Sequence, residues 1–149
     1  MSRRFVYTWS TPMWHSFHLL AANCEDIPIE IENIKSIIAH FALIIPCITC
    51  KVDAVSYIKS LQSSIKTKND LIMFCFKFHN YVRQKTNRGK TDKKILNTYI
   101  NKNKKTIKKT IDTTINLCKG GTRSNTKYQN LMNGRVIRIN RIFDKLKIK

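Results

Sequence analysis

Acidic side chains are scarce: nine Asp and Glu stand against 28 Lys and Arg in 149 residues, a formal charge of +19. So strong a positive field attracts phosphates, anionic membranes or acidic proteins and singles out none of them. Glycine and proline are scarce as well, four and three residues, which excludes a collagen-like or proline-rich disordered chain. No apolar run approaches the roughly 18 residues that a bilayer span requires. The longest, Ile37 to Pro46, contains His40 and stops after ten, so no membrane span is expected. The opening Met1-Ser2-Arg3-Arg4-Phe5 leads into Trp9, Ser10, Thr11 and Pro12 rather than an apolar signal core. This predicts a chain that is not secreted.

What is present supports one packed core. Hydrophobic residues make up 42% of the chain, enough for one domain of ordinary size with an appendage. The charge is unevenly placed. Residues 1–50 hold three basic and four acidic side chains, whereas residues 101–149 hold fourteen and two, a net +12. Ile, Lys and Asn supply 54 of the 149 residues, the usage expected of an A+T-rich genome such as that of a virus or parasite.

Helical spacing dominates and strand alternation is nowhere sustained. Trp14, Phe17, His18 and Ala21 recur at i, i+3, i+4 and i+7, which predicts a first helix over 12–23, starting at Pro12. Ile34, Ile37, Ile38, Phe41 and Ile45 predict a second over 29–45, ended by Pro46. A third begins at Cys47 and carries Ala54, Tyr57, Ile58 and Leu61 on one side. A fourth spans 70–85 with Leu71, Phe74, Phe78 and Val82, capped by Asn69 or Asp70. Asn87 to Lys90 reads as a turn, and Ile95, Leu96, Tyr99 and Ile100 as a shorter fifth helix. The expected fold is all-α, a four-helix bundle with a short fifth helix and short loops. Beyond residue 100 the chain reads as a basic, partly helical extension. Ile107, Ile111 and Ile115 form an intermittent stripe ended by Gly120-Gly121, and Ile139, Ile142, Phe143 and Leu146 form a second amphipathic pattern.

Five cysteines, Cys24, Cys47, Cys50, Cys75 and Cys118, are an odd set in a chain not expected to be secreted, which argues against a purely structural disulfide framework. Pro46-Cys47-Ile48-Thr49-Cys50 is the most informative segment. In the first turn of a helix the two sulfurs lie on one face and can meet as a disulfide, and the helix N-terminus favours thiolate over thiol. The alternative is half a zinc site, completed by Cys75 and His79 as Cys-x3-His, in a zinc-stabilised nucleic-acid-binding protein. Flat walls for a planar redox ring are at hand in Trp14, Phe74 and Phe78, and cations for a diphosphate in Arg83, Lys85 and Arg88. His15 and His40 match no motif.

Trp14-x3-His18 with Ala21-Ala22, then Pro46-Cys47-x-x-Cys50, then Phe78-His79-Asn80-x-Val82, resembles the Erv/ALR family of FAD-linked sulfhydryl oxidases over residues 9–100. The likeness is to short members from large cytoplasmic DNA viruses. The resemblance implies an FAD-binding domain at 9–100 followed by the extension at 101–149, and a thiol oxidase that forms disulfides in substrate proteins. Electrons would run from dithiols through Cys47 and Cys50 to FAD and then to oxygen, giving hydrogen peroxide. It makes Cys47 and Cys50 catalytic, with Cys50 against the flavin and Cys47 exchanging with substrate. Trp14, His18, His79, Asn80, Val82, Arg83 and Arg88 become the cofactor contacts, Arg83 standing where the family usually has Asn and Arg88 where it commonly has Lys. No resident metal is implied.

The implied partners are a thiol-bearing protein, either small and thioredoxin-like or a virion component, and molecular oxygen. A second copy of the chain would pack through the first two helices, and the implied location is host cytoplasm or virion. Two family features are missing: a structural disulfide at Cys75, and a shuttle pair, for which only the lone Cys24 and Cys118 are candidates. On the extension the family is silent. Its charge suits weak polyanion binding, its Ile107 stripe predicts docking on the bundle, and Cys118 becomes a candidate relay thiol.

Overall fold

The computed structural model describes residues 3–120 and 126–149. Helix α1 (Arg3–Asn23) starts nine residues before the expected position and carries Pro12 inside it. Proline deletes one backbone hydrogen bond, but Trp9 and Met13, on either side of it, are both buried in the core, and this packing holds the helix through Pro12. Met1, Ser2 and Gly121 lie outside the described residues.

Helix α2 (Pro28–Leu43) opens with proline at its first position, where the missing N–H costs nothing. Its Ile34, Ile37, Ile38 and Phe41 are all inaccessible to solvent. Helix α3 (Ile48–Leu61) has Cys47 as its N-cap rather than in its first turn. Ala54 and Ile58 are buried and Tyr57 half-buried, whereas the side chain of Leu61 lies outside the described residues.

Helix α4 (Lys68–Lys85) is capped by Thr67, not by Asn69 or Asp70. Asp70 takes the reciprocal place in a capping box: its N–H donates to Thr67 Oγ1 and its carboxylate accepts the Thr67 N–H, both at 3.1 Å. The Ser/Thr-x-x-acid pattern at 67–70 carries this signal, since two orphan donors are satisfied at once.

After α4 the chain turns through Asn87 and Gly89, both in the left-handed region (φ 58° and 73°). The shorter fifth helix expected around residues 95–100 is a 3₁₀ helix, Lys93–Tyr99, with Asp92 at its N-cap. It lies against α1. Asn23 fastens it, donating to the Tyr99 carbonyl at 2.7 Å and accepting the Lys102 N–H at 3.0 Å.

Helices α5 (Lys104–Gly120) and α6 (Thr126–Lys145) complete the chain. The predicted docking of the Ile107 stripe is met: Ile107, Ile111 and Ile115 are buried as α5 packs on α1. Helix α6 packs on α2 through Met132, Val136, Ile139 and Phe143. Each fully buried Ile contributes roughly 2 kcal/mol, enough for three of them to outweigh the low helix propensity of a Thr- and Ile-rich segment. The C-terminus is tied in by Lys147, whose N–H donates to the buried Glu30 carboxylate at 3.0 Å, and by Lys149, whose carbonyl accepts the Lys104 N–H at 2.8 Å. Among the described residues no helix is long and apolar enough to cross a membrane.

Candidate active site

Helix α2 ends at Leu43 with Ile44 as its C-cap, short of the expected residue 45 rather than at Pro46, and Cys47 caps the next helix, so the redox pair follows a short loop. Cys47 and Cys50 form a disulfide with Cα atoms 5.2 Å apart. The Cys50 N–H donates to Cys47 Sγ at 3.3 Å, and the Lys51 N–H to the Cys47 carbonyl at 2.9 Å. The first of these donors belongs to the free N-terminus of α3, whose partial positive charge stabilises a thiolate when the bridge opens, and the second is the helix's first i→i−4 bond. The loop is also braced from α6. The Tyr128 hydroxyl donates to the Ile45 carbonyl at 3.1 Å and accepts from Lys51 Nζ, so one phenol holds both ends of the segment bearing the disulfide.

Beneath the loop lies a cavity of about 300 Å³ walled by α1, α3 and α4. Cys50 lines it and Cys47 does not. Trp14 meets Phe78 edge-to-face at 4.9 Å and Phe17 at 5.7 Å. Val82, Arg83, Lys85 and Arg88 also line it. Arg83 donates to the carbonyls of Gly89 and Arg88 at 2.9 and 3.1 Å, locking the turn that presents Arg88. Asp53, the one carboxylate on this wall among the described residues, is paired with Lys85 at 2.9 Å and accepts from Tyr81 at 3.2 Å.

An aromatic file leads away from this cavity. Trp14 stacks on His79 at 4.5 Å, His79 Nδ1 lies 3.1 Å from His18 Nε2, and His18 stacks on Tyr99 at 4.8 Å. His18 and Tyr99 line a second cavity of about 290 Å³ with Ala21, Ala22, Ile72 and Lys68. Burial, then the neighbouring His79 and His15, pushes His18 down to about 3; burial, then Arg83, His15 and Arg88, pushes His79 down to about 4. Both rings are therefore neutral at pH 7 and share one proton between facing nitrogens. Asn80 is buried, its side-chain Oδ1 accepting the Thr91 N–H and hydroxyl, both at 2.9 Å, which fixes the chain just after Arg88.

With this arrangement in view, the profile of the Erv1 / Alr family matches residues 11–105. The chain belongs to the Erv1/Alr family. A protein of African swine fever virus, from a Kenyan pig isolate and described as an FAD-linked sulfhydryl oxidase, is 31% identical over 82 residues, covering 54% of this chain and 69% of the relative. A Malawian tick isolate supplies another so described, 30% identical over the same shares. A protein of Invertebrate iridescent virus 3 is 27% identical over 84 residues, 54% of this chain and 57% of its own. No solved structure matches. Helix α6 and nearly all of α5 fall beyond the family match.

The Erv1/Alr match leaves the zinc alternative without support. Cys47 and Cys50 are bridged, the Cys75 thiol is buried and donates to the Phe17 carbonyl at 3.8 Å, and His79 faces His18. No three His, Cys, Asp or Glu residues converge as a metal site among the described residues. Cys75 and His79 share a face of α4 that meets α1, Cys75 through the Phe17 carbonyl and His79 through Trp14 and His18. Cys24, Cys75 and Cys118 are all buried. Burial pushes the thiols of Cys24 to about 11 and of Cys118 to about 12, and that of Cys75 up as well. Cys118 lines neither cavity.

Among the residues that sequence reasoning missed are Trp9, Met13 and Tyr128. Trp9 and Met13 line the first cavity, and their spacing with Phe17, i, i+4 and i+8, was the available signal. Tyr128 gave none, because its partner is 83 residues away. Phe74, expected as a cavity wall, sits one layer back against Phe78 and Tyr57.

Proposed function

We propose that this chain is an FAD-dependent thiol oxidase in which Cys47 exchanges with substrate and Cys50 faces the cofactor. The supporting observation is the division of the disulfide, with Cys50 among the residues that line an aromatic cavity and Cys47 not among them. The cavity suits a flavin. Its walls are flat and apolar, its rim is cationic, and it offers the Trp9 indole N–H, which is buried with no hydrogen-bond partner among the described residues. Trp14, Phe78 and Val82 would flank the ring system, Arg83 and Arg88 the diphosphate, and His18 and His79 the adenosine half, with Asn80 fixing the loop that carries Arg88.

The chemistry follows from the pair. A substrate thiolate attacks Cys47 Sγ, the disulfide breaks, and Cys50 leaves as a thiolate held in the cavity wall. A second substrate thiol attacks the mixed disulfide, which releases oxidised substrate and returns Cys47 as a thiolate. The reduced pair now holds two electrons, which bound FAD would accept and pass to oxygen, giving hydrogen peroxide. During this cycle the N-terminus of α3, whose Cys50 N–H is aimed at Cys47 Sγ, stabilises the Cys47 thiolate, while Cys50 stays half-buried against the cavity wall.

The same reading assigns residues 9–100 as the flavin-binding unit and 101–149 as a basic addition docked on it, with weak affinity for polyanions. A thioredoxin-like or virion protein is the proposed substrate, in host cytoplasm or virion. The homodimer through α1 and α2 is kept as a proposal with a condition attached: α5 and α6 lie on those helices, so a second copy must use what they leave open or displace them. The decisive experiment is purification of the full chain. Yellow protein that consumes oxygen and yields peroxide on addition of dithiothreitol supports the oxidase, and colourless protein inert to dithiols refutes it.

A further inference from the structure

Ile48 and Val52 are 73% and 64% exposed. They lie at i and i+4 on α3, one helical face, directly after Cys47. The opposite face of the helix, Ala54 and Ile58, is buried in the bundle, so the strip has no part in packing the fold. Isolated exposed apolar side chains are ordinary; the position of these two is what distinguishes them. A mixed disulfide at Cys47 brings the substrate backbone within a few ångströms of the first turn of α3, because the S–S bond is only about 2 Å long and the helix rises about 1.5 Å per residue. A polypeptide attached there lies close enough to cover Ile48 and Val52. Lys51, a cation held by the neutral Tyr128 hydroxyl, lies between the two in sequence, Asp53 beside them is paired with Lys85, and the chain as a whole carries +19.

We propose that Ile48 and Val52 form the docking strip for the substrate polypeptide, and that the substrate segment carries an apolar side chain beside its cysteine and a net negative charge. The inference rests on the thiol-oxidase reading and names its substrate class. In the exchange step the substrate thiolate forms a bond to Cys47 Sγ, the Cys47–Cys50 bond breaks, and the electron pair leaves on Cys50. The strip lowers the cost of that step by burying apolar surface as the bond forms, and the field of the chain gathers acidic segments around it.

The test isolates the exchange from the cofactor. In the full chain carrying Cys50→Ser, Cys47 is labelled as its thionitrobenzoate disulfide; the other three thiols are buried and do not compete. Release of thionitrobenzoate is followed with three short cysteine peptides: acidic with Leu beside the Cys, acidic with Ser in that place, and basic with Leu. The first is expected to react about tenfold faster than the second, the gain from one well-covered Leu. That ratio is expected to fall to about one when Ile48→Ser and Val52→Ser are added. The advantage of the first over the third is expected to vanish at about 0.5 M salt. Equal rates for the two acidic peptides, or a preference that survives the double substitution, overturns the strip. A charge preference that is absent or insensitive to salt overturns the acidic assignment. Failure of the oxidase reading would show separately, as an intact chain that oxidises no dithiol.

Discussion

The Tyr128 hydroxyl donates to the Ile45 carbonyl at 3.1 Å, so a residue from the last helix fixes the approach to a redox pair 80 positions earlier. The same oxygen accepts from Lys51, just past the pair. Tyr128→Phe keeps the ring and removes both bonds. It is expected to lower thermal stability by about 1 kcal/mol and dithiol oxidation by about three- to tenfold through looser placement of Cys50, with flavin content unchanged. Steady-state oxygen uptake and flavin absorbance per chain check this. Undiminished turnover would show that the brace is incidental.

The two cysteines are expected to differ in their spectra. Cys47→Ser leaves Cys50 as a lone thiolate on the cavity wall, beside oxidised flavin, and a long-wavelength charge-transfer band is expected. Cys50→Ser places the surviving thiol outside the cavity and is expected to show none. Both variants should lose disulfide formation, since each removes one half of the two-electron unit. A band in Cys50→Ser rather than Cys47→Ser would reverse the assigned roles.

Acid should loosen the site. His18 and His79 titrate at about 3 and about 4 in the folded chain, against roughly 6.5 when unfolded. Between those values the unfolded chain binds more protons, so stability is full above about pH 6.5 and falls as the pH drops towards 4. The loss for the pair by pH 4 is on the order of 3 kcal/mol, allowing for the partial exposure of His79. Urea unfolding at pH 7 and pH 4 measures it. His18→Gln should flatten the pH dependence, and an unchanged slope in that variant would exclude the imidazole pair as its source.

These residues also show what was legible beforehand. Trp14 and His18, four residues apart on α1, share one face because helical spacing translates directly into a shared face, so that part of the candidate site could be read in one dimension; His79 and the roles of the Cys47 pair entered through the family resemblance. Trp9 was lost because Pro12 is ordinarily a start signal, a local rule that tertiary packing overrode. Thr67 was lost for a similar reason: its reciprocal bond with Asp70 is visible only as a pair. Tyr128 and the ties of Lys147 and Lys149 join segments far apart in the chain, and no local pattern encodes such contacts. The Ile107 stripe was different, since an apolar face needs a cover whatever that cover is.

That cover carries the last prediction. Helices α5 and α6 lie on α1 and α2 and bury Ile107, Ile111, Ile139 and Phe143 there. Every residue named for the first cavity lies before Thr91, so a chain cut after residue 100 retains those groups while exposing the faces that α5 and α6 cover. Exposed apolar area of that extent seeks a partner, and a second truncated chain presents the same faces. The truncated protein is therefore expected to self-associate at micromolar concentrations where the full chain associates less, and to bind polyanions more weakly because the +12 of residues 101–149 is gone. Light scattering on both proteins, with flavin absorbance per chain as a measure of folding, decides the point. A truncated chain that stays monomeric and yellow would show that α1 and α2 need no cover at all, and that the homodimer proposed through them has no apolar driving force.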